Sequence, residues 1–136
     1  RDRLRSRGLG DVYKRQVMRF RRYRPRPAKP VIFVCSPYRG DVETNTQNAR
    51  RYCRLVMSRG GIPFAPHLLF TQFLNEDKAA ERRCALRMGM EMLRLCDELW
   101  AFGEPTEGMR MEIAQAERLG IPVCRMDMAG GAADER

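Results

Sequence analysis

Residues 97–126 read "DELWAFGEPTEGMRMEIAQAERLGIPVCRM", and their hydrophobic pattern changes period twice. "DELWAFG" (97–103) is a short apolar run of strand type. Met109, Ile113, Ala116 and Leu119 or Gly120 then recur at helical spacing, as one buried stripe would. "IPVCRM" (121–126) returns to a strand. The segment therefore predicts strand, loop, helix, strand. Glu112 interrupts it, because its position places a carboxylate at the margin of the apolar stripe. An ionised carboxylate on a core-facing edge is costly unless something pairs with it or uses it.

The same alternation runs upstream. "VIFVCS" (31–36) is an apolar run of the kind buried parallel strands show. "ETNTQNARRYCRLVMSRG" (43–60) predicts a helix with Ala49, Tyr52, Cys53, Val56 and Met57 on one face and Gly60 or Gly61 as its stop. "IPFAP" (62–66) is a second strand, and "HLLFTQFLN" (67–75) an apolar loop or short helix. "DKAAERRCALRMGMEMLRLC" (77–96) predicts a longer helix with Ala85, Met88, Met92 and Cys96 inward. The methionines at this spacing read as core filler. Strands alternating with helices imply right-handed crossovers and a small Rossmann- or flavodoxin-like α/β fold. It should have an open parallel sheet of four to five strands covered by helices on both faces. Ligands of such sheets bind where the loops leave the carboxyl ends of the strands. Those loops are "SPYRGDVETN" (36–45), "HLLFTQFL" (67–74) and "GEPTEGM" (103–109).

The 136-residue chain carries a formal charge of +9, which suggests nucleic acid until it is divided along the sequence. Residues 1–29 hold 12 of the 26 Lys and Arg but only 2 of the 17 Asp and Glu. The remaining 107 residues hold 14 basic and 15 acidic side chains and are nearly neutral. Within the leader, "DVYKRQ" (11–16) is similar to the in-frame translation of a transposon end used in sequencing libraries. Residues 1–16 are therefore expected to be an artefact. Residues 17–29 form a basic, Pro-rich arm, either disordered or able to lie on phosphates. Residues 30–127 are expected to form the α/β domain and 128–136 a disordered tail.

Five cysteines, odd in number and without a CxxC pair, fit reduced and mostly buried thiols in a cytoplasmic protein. A single histidine rules out a His-rich zinc site, and no cofactor is expected. No apolar run approaches membrane-spanning length.

Chemistry-bearing residues gather in the three loops. In the first, Ser36, Gly40 and the amides at the helix start can cradle an anion, Arg39 adds a fork of donors, and Tyr38 offers a ring. The bland alternative is a tight turn capped by Asp41 or Thr44. In the third, Gly108 permits close approach at the helix start, and Thr106 can bind a ligand or cap the helix. Glu112 lies about one turn further on. It is either a working carboxylate or the partner of an arginine such as Arg39 or Arg87. His67 can donate to a ligand or serve as a hydrogen-bonded support. Asp97 and Glu98, at the opposite end of their strand, read as structural caps or surface charges.

With "SPYRG", "PH" and "EGM…E" in this order, residues 31–126 resemble the nucleoside 2-deoxyribosyltransferase superfamily, which includes deoxynucleoside monophosphate N-glycosidases. The likeness is strongest to a bacterial and phage branch. That family's helix-start motif reads roughly G-x-G-[MY]-E-[LI]-G, and Gly108, Met111, Glu112 and Ile113 of "GMRMEIA" match it. Arg110 stands where the second glycine falls, and Gly89 stands where many members carry an aspartate. The resemblance implies that Glu112 is the nucleophile attacking C1′ of a sugar, through a glycosyl-enzyme intermediate. It implies that Ser36, Tyr38, Arg39 and Gly40 hold the sugar or a 5′-phosphate, that His67 contributes to substrate binding, and that Thr106 and Gly108 lie near the sugar. The expected partner is a small nucleoside or nucleotide, with a homo-oligomer completing the pocket. Nucleic acid is expected only through residues 17–29, and no membrane is expected. The competing reading is a non-catalytic nucleotide-sensing module on the same fold.

Overall fold

The computed structural model describes residues 26–127. The expected artefact (1–16), most of the basic arm and the tail (128–136) lie outside the described residues. Four strands, β1 (Val31–Cys35), β2 (Ile62–Phe64), β3 (Glu98–Phe102) and β4 (Val123–Met126), form one parallel sheet in the order β2-β1-β3-β4. They are joined through helices α1 (Val42–Ser58), α2 (Pro66–Leu69), α3 (Ala79–Leu93) and α4 (Glu107–Arg118), with a single 3₁₀ turn at Phe70–Gln72 after α2. The expected open α/β sheet is thus present, with four strands. No described helix is long and apolar enough to cross a membrane.

The continuous apolar run of β1 has a simple cause, since both of its faces are buried. Phe33 and Cys35 pack with Leu99 and Ala101 of β3 beneath Leu93 of α3 and Met109, Ile113 and Ala116 of α4. Ile32 and Val34 turn the other way, towards Phe102, Met126 and the Tyr52–Val56 face of α1. Tyr52 stacks on Phe102 with ring centroids 4.1 Å apart. Each fully buried Phe, Leu or Ile contributes about 1.5–3 kcal/mol of transfer free energy, so these two layers dominate the folding drive.

Turn chemistry closes the units. α1 stops at Gly60, whose φ of +85° lies in the left-handed region that a side chain resists. Asp41 caps the start of α1, its carboxylate accepting from the Thr44 amide at 3.1 Å. At the far end of the sheet Asp97 accepts from the Val31 amide at 2.8 Å and pairs with Arg26 at 3.0 Å. Asp97 is therefore structural, tying the entry of β1 to that of β3.

Helix faces depart from the sequence pattern in detail. Met57 is 57% exposed, and α1 buries Ala49, Tyr52 and Val56 instead. On α3 the inward row is Ala85, Gly89 and Leu93, followed by Cys96, whereas Met88 is half-buried and Met92 exposed. Gly89, in the middle of that row, faces the Pro66 turn: an added Cβ would lie 3.8 Å from Pro66 Cβ, an ordinary contact distance. The helix leans on the Pro66 turn through its smallest residue. Leu119 is exposed at the end of α4, and Cys84 is exposed while Cys35 and Cys96 are buried. All five thiols are free.

Candidate active site

β1 and β3 are neighbours, yet the chain leaves β1 towards β2 on one side and leaves β3 towards β4 on the other. Their following loops diverge at this switch in strand order and open a crevice at the carboxyl end of the sheet. Gly103, with φ +76°, brings the β3 loop against Pro37 of the β1 loop; an added Cβ would lie 3.5 Å from the proline ring. Between these loops and α3 lies a cleft of about 360 Å³, within the range of small-molecule sites.

Glu112 reaches this cleft from α4. Met109, Glu112, Ile113 and Ala116 form the buried face of that helix, so the carboxylate stands in the middle of the inward stripe rather than at its margin. Glu112 is 4% exposed, and its Oε2 has no hydrogen-bond partner. The alternative of a counter-ion is not realised: no ion pair involves Glu112, Arg39 or Arg87 among the described residues. Burial alone pushes the Glu112 carboxyl up to about 8, so at neutral pH it holds its proton. Its neighbour Cys35 donates to the Met109 carbonyl at 3.9 Å. Burial, and then the nearby Glu112 charge, push that thiol well above its usual range, which keeps it an inert support.

α4 begins beside the carboxylate. Thr106 caps it, its hydroxyl oxygen accepting from the Met109 amide at 3.2 Å, so this side chain serves the helix while also lining the cleft. A side chain at Gly108 would meet nothing within 4 Å, so the first turn of α4 faces open space there, on the lining of the cleft.

The opposite wall comes from the β1 and β2 loops. Tyr38 stacks on His67 with centroids 5.0 Å apart and planes 15° from parallel. The Thr71 hydroxyl donates to the His67 carbonyl. Burial first, then the charges of Glu76 and Asp77, raise the Tyr38 hydroxyl, while burial drives His67 down to about 4. Both rings are therefore neutral at pH 7.

Of the residues singled out from the sequence, Tyr38, Arg39, His67, Thr106, Gly108 and Glu112 converge on one cleft. Ser36 and Gly40 stand outside its lining: Ser36 is buried at the end of β1, and Gly40 turns the exposed chain into α1 at φ +98°. Sequence reasoning passed over Glu76, Arg82 and Arg83, which also line the cleft. For the two arginines the only sequence signal is a doublet about two turns before Gly89, and such a doublet reads as an ordinary solvated helix face. A neutral carboxyl on the floor, two neutral rings on one wall and guanidinium groups on the other suit a ligand with an apolar ring and polar substituents.

Solved structures with this architecture include a 2-deoxyribosyltransferase from Bacillus psychrosaccharolyticus (TM-score 0.59, 15% identity, covering 71% of this chain and 72% of that one). A 2-deoxyribosyltransferase from Leishmania mexicana gives a TM-score of 0.54 at 18% identity, covering 72% of this chain and 64% of that one. A conserved protein from Enterococcus faecalis V583 gives 0.51 at 18% identity, covering 73% and 64%. The chain thus spans less than two thirds of the last two, and these likenesses establish the fold. No curated protein matches the sequence. The family model described as a domain of unknown function (DUF7768) matches residues 30–126, and the chain belongs to that family.

Proposed function

We propose that residues 30–127 form a domain that cleaves or transfers the N-glycosidic bond of a nucleoside or nucleotide, with Glu112 as nucleophile. One observation carries the reading. The Glu112 carboxyl is held in the core without a hydrogen-bond partner at Oε2, on the wall of a cleft at the strand-order switch. Burying such a group without a partner costs several kcal/mol if ionised and about 1–3 kcal/mol even if neutral, so a fold that keeps it has a use for it. The shared fold of the two 2-deoxyribosyltransferases supports the same direction.

In the reaction, a Glu112 oxygen attacks C1′ of the sugar. The C1′–N bond breaks, and its electron pair leaves with the base, which takes up a proton. The transition state carries oxocarbenium character, and the product is a glycosyl ester on Glu112. Water, or the nitrogen of a second base, then attacks C1′ and frees the carboxylate. Because burial leaves the resting carboxyl protonated, Glu112 must first give up its proton. Solvent at the mouth of the cleft accepts that proton before the attack, and the departing base takes its own proton from solvent. Tyr38 and His67 offer the sugar or base a neutral aromatic wall, and Thr106 and Gly108 flank the approach to the carboxyl.

The test is base release, followed by chromatography, from ribo- and deoxynucleosides and their 5′-monophosphates. Turnover should appear with the native chain and vanish with Glu112→Gln. Absence of turnover across the whole panel, or full activity in the variant, overturns the proposal.

A further inference from the structure

Glu112 meets no opposite charge. It is 4% exposed, its Oε2 has no hydrogen-bond partner, and it forms no ion pair among the described residues. Burial is the whole cause of its rise to about 8, so no neighbouring cation offsets it. The groups around it explain why. β1 brings Cys35, whose thiol stays neutral, and the turns after β1 and β2 bring Tyr38 and His67, both neutral at pH 7. The charged groups of the cleft lie nearer solvent: Arg39, Arg83 and Glu107 are exposed, and Arg82 and Glu76 half-buried. The rest of the lining is largely apolar, with Pro66, Phe70, Ala85, Leu86 and Gly89. A buried carboxyl in uncharged surroundings gains most from a ligand that carries the missing charge. The departing group points the same way. A neutral base needs a proton as it leaves, and the cleft offers it poor donors. The His67 ring is neutral, the Tyr38 hydroxyl is a weakened acid, and Arg82 and Arg39 favour the ionised form of Glu76. A ring that is already cationic leaves as a neutral molecule and needs no proton.

We infer that the ligand supplies the counter-ion Glu112 lacks: the cleft takes nucleosides whose base ring is itself a cation, a pyridinium or an N-alkylated purinium, in preference to uncharged ones. The nucleoside part rests on the glycosidic reading; the positive ring rests on the surroundings of the carboxyl. A positive charge within about 4–6 Å of a carboxyl favours its ionised form by a factor of about 10 to 10³. Binding thus displaces the resting proton to solvent and readies Glu112 for attack, which an uncharged nucleoside does not do. A Glu112 oxygen then attacks C1′, the C1′–N bond breaks, and its electron pair neutralises the ring, which leaves without taking up a proton. Water attacks C1′ of the ester, gives its proton to solvent and frees the carboxylate. Tyr38, on the wall of the same cleft, adds an aromatic group of the kind that attracts organic cations. Uncharged nucleosides remain substrates at lower rate.

Binding, measured without cleavage, separates this inference from the catalytic one. The probe is the carbocyclic analogue of nicotinamide riboside, which keeps the pyridinium charge but lacks the ring oxygen that supports an oxocarbenium ion. It is compared with the same compound reduced to its uncharged dihydropyridine. Calorimetry of the full native chain at pH 7, in two buffers of different ionisation enthalpy, counts the protons exchanged. The pyridinium should bind about tenfold or more tightly than the reduced form and release most of one proton, while the reduced form releases none. Glu112→Gln should abolish both the preference and the release. Circular dichroism matching the native chain would show that the variant folds, and the proton count in the native chain does not depend on it. Equal affinity, binding without proton release, a preference that survives Glu112→Gln, or no binding of the pyridinium overturns the inference. Turnover is read separately, with nicotinamide riboside and 7-methylguanosine beside guanosine and inosine, each corrected for its own rate in buffer. Cleavage of either charged nucleoside ahead of the uncharged pair supports the inference and names the ring class. Base release from the uncharged pair alone sinks it and leaves the glycosidic reading standing. A charge preference with proton release, in a chain that frees no base from any of them, sinks the glycosidic reading and leaves the cation site standing.

Discussion

Tyr38 and His67 meet face to face, centroids 5.0 Å apart, and bind the loop after β1 to the turn after β2 on one wall of the cleft. The contact links two elements far apart in sequence and covers part of the imidazole. Burial lowers His67 from 6.5 to about 4. The unfolded chain therefore takes up a proton near pH 6.5 that the folded chain refuses until about pH 4. The stability tied to the neutral ring is full above pH 6.5 and is lost as pH falls towards 4. Thermal melts from pH 7 to pH 4.5 should show a steeper fall for the native chain than for His67→Gln. Parallel curves would contradict this account.

Glu112 acts in the opposite direction. Its carboxyl is raised from 4.5 to about 8, so between those values the folded chain holds a proton that the unfolded chain has released. Stability from this group is full below pH 4.5 and declines as pH rises through about 8, by on the order of 3–5 kcal/mol. Glu112→Gln removes the ionisation. The variant should melt at least about 5 °C above the native chain at pH 9, with the gap closing at pH 5. An equal difference at both pH values would show that the carboxyl is not buried in solution.

The same proton governs turnover under the proposed mechanism. Attack requires the ionised form, so kcat/KM should climb with pH and level off above about 8. Glu112→Gln should lose at least about 10³-fold in kcat. A flat profile between pH 6 and 9 would assign the ionisation elsewhere.

Gly61 offers a purely structural test. A Cβ there would lie 2.9 Å from Val56 Cγ1 and 3.0 Å from Ile32 Cγ1, inside the packed layer between α1 and β1. Gly61→Ala should cost about 1–3 kcal/mol in urea unfolding, with the slope of the transition unchanged. A neutral effect would mean that the layer gives way more easily than its packing indicates.

The alternation of strands and helices was legible in the sequence because period is a local property. An apolar run of five or six residues and a stripe every third or fourth residue need no knowledge of the rest of the chain. The same arithmetic turned Glu112 inward, though to the margin of the stripe rather than its middle, and it left Asp97 as a structural residue at the opposite end of β3. The rotation of α3 did not follow, since a pattern with methionines at 88 and 92 fits a buried stripe as well as the observed row through Gly89 does. The choice between them is tertiary: the observed row faces the Pro66 turn, 23 positions away in sequence.

By itself, then, the sequence determined the order of elements, the end of the sheet where the cleft opens and the helix that carries the carboxylate. Only the tertiary structure decided that no arginine neutralises that carboxylate, that Ser36 and Gly40 stand outside the cleft, and that Arg82 and Arg83 enter it. The physical reason is that burial and charge pairing depend on distance in space. Residues 39, 67, 82 and 112 come to line one cleft only after the strands have taken their order.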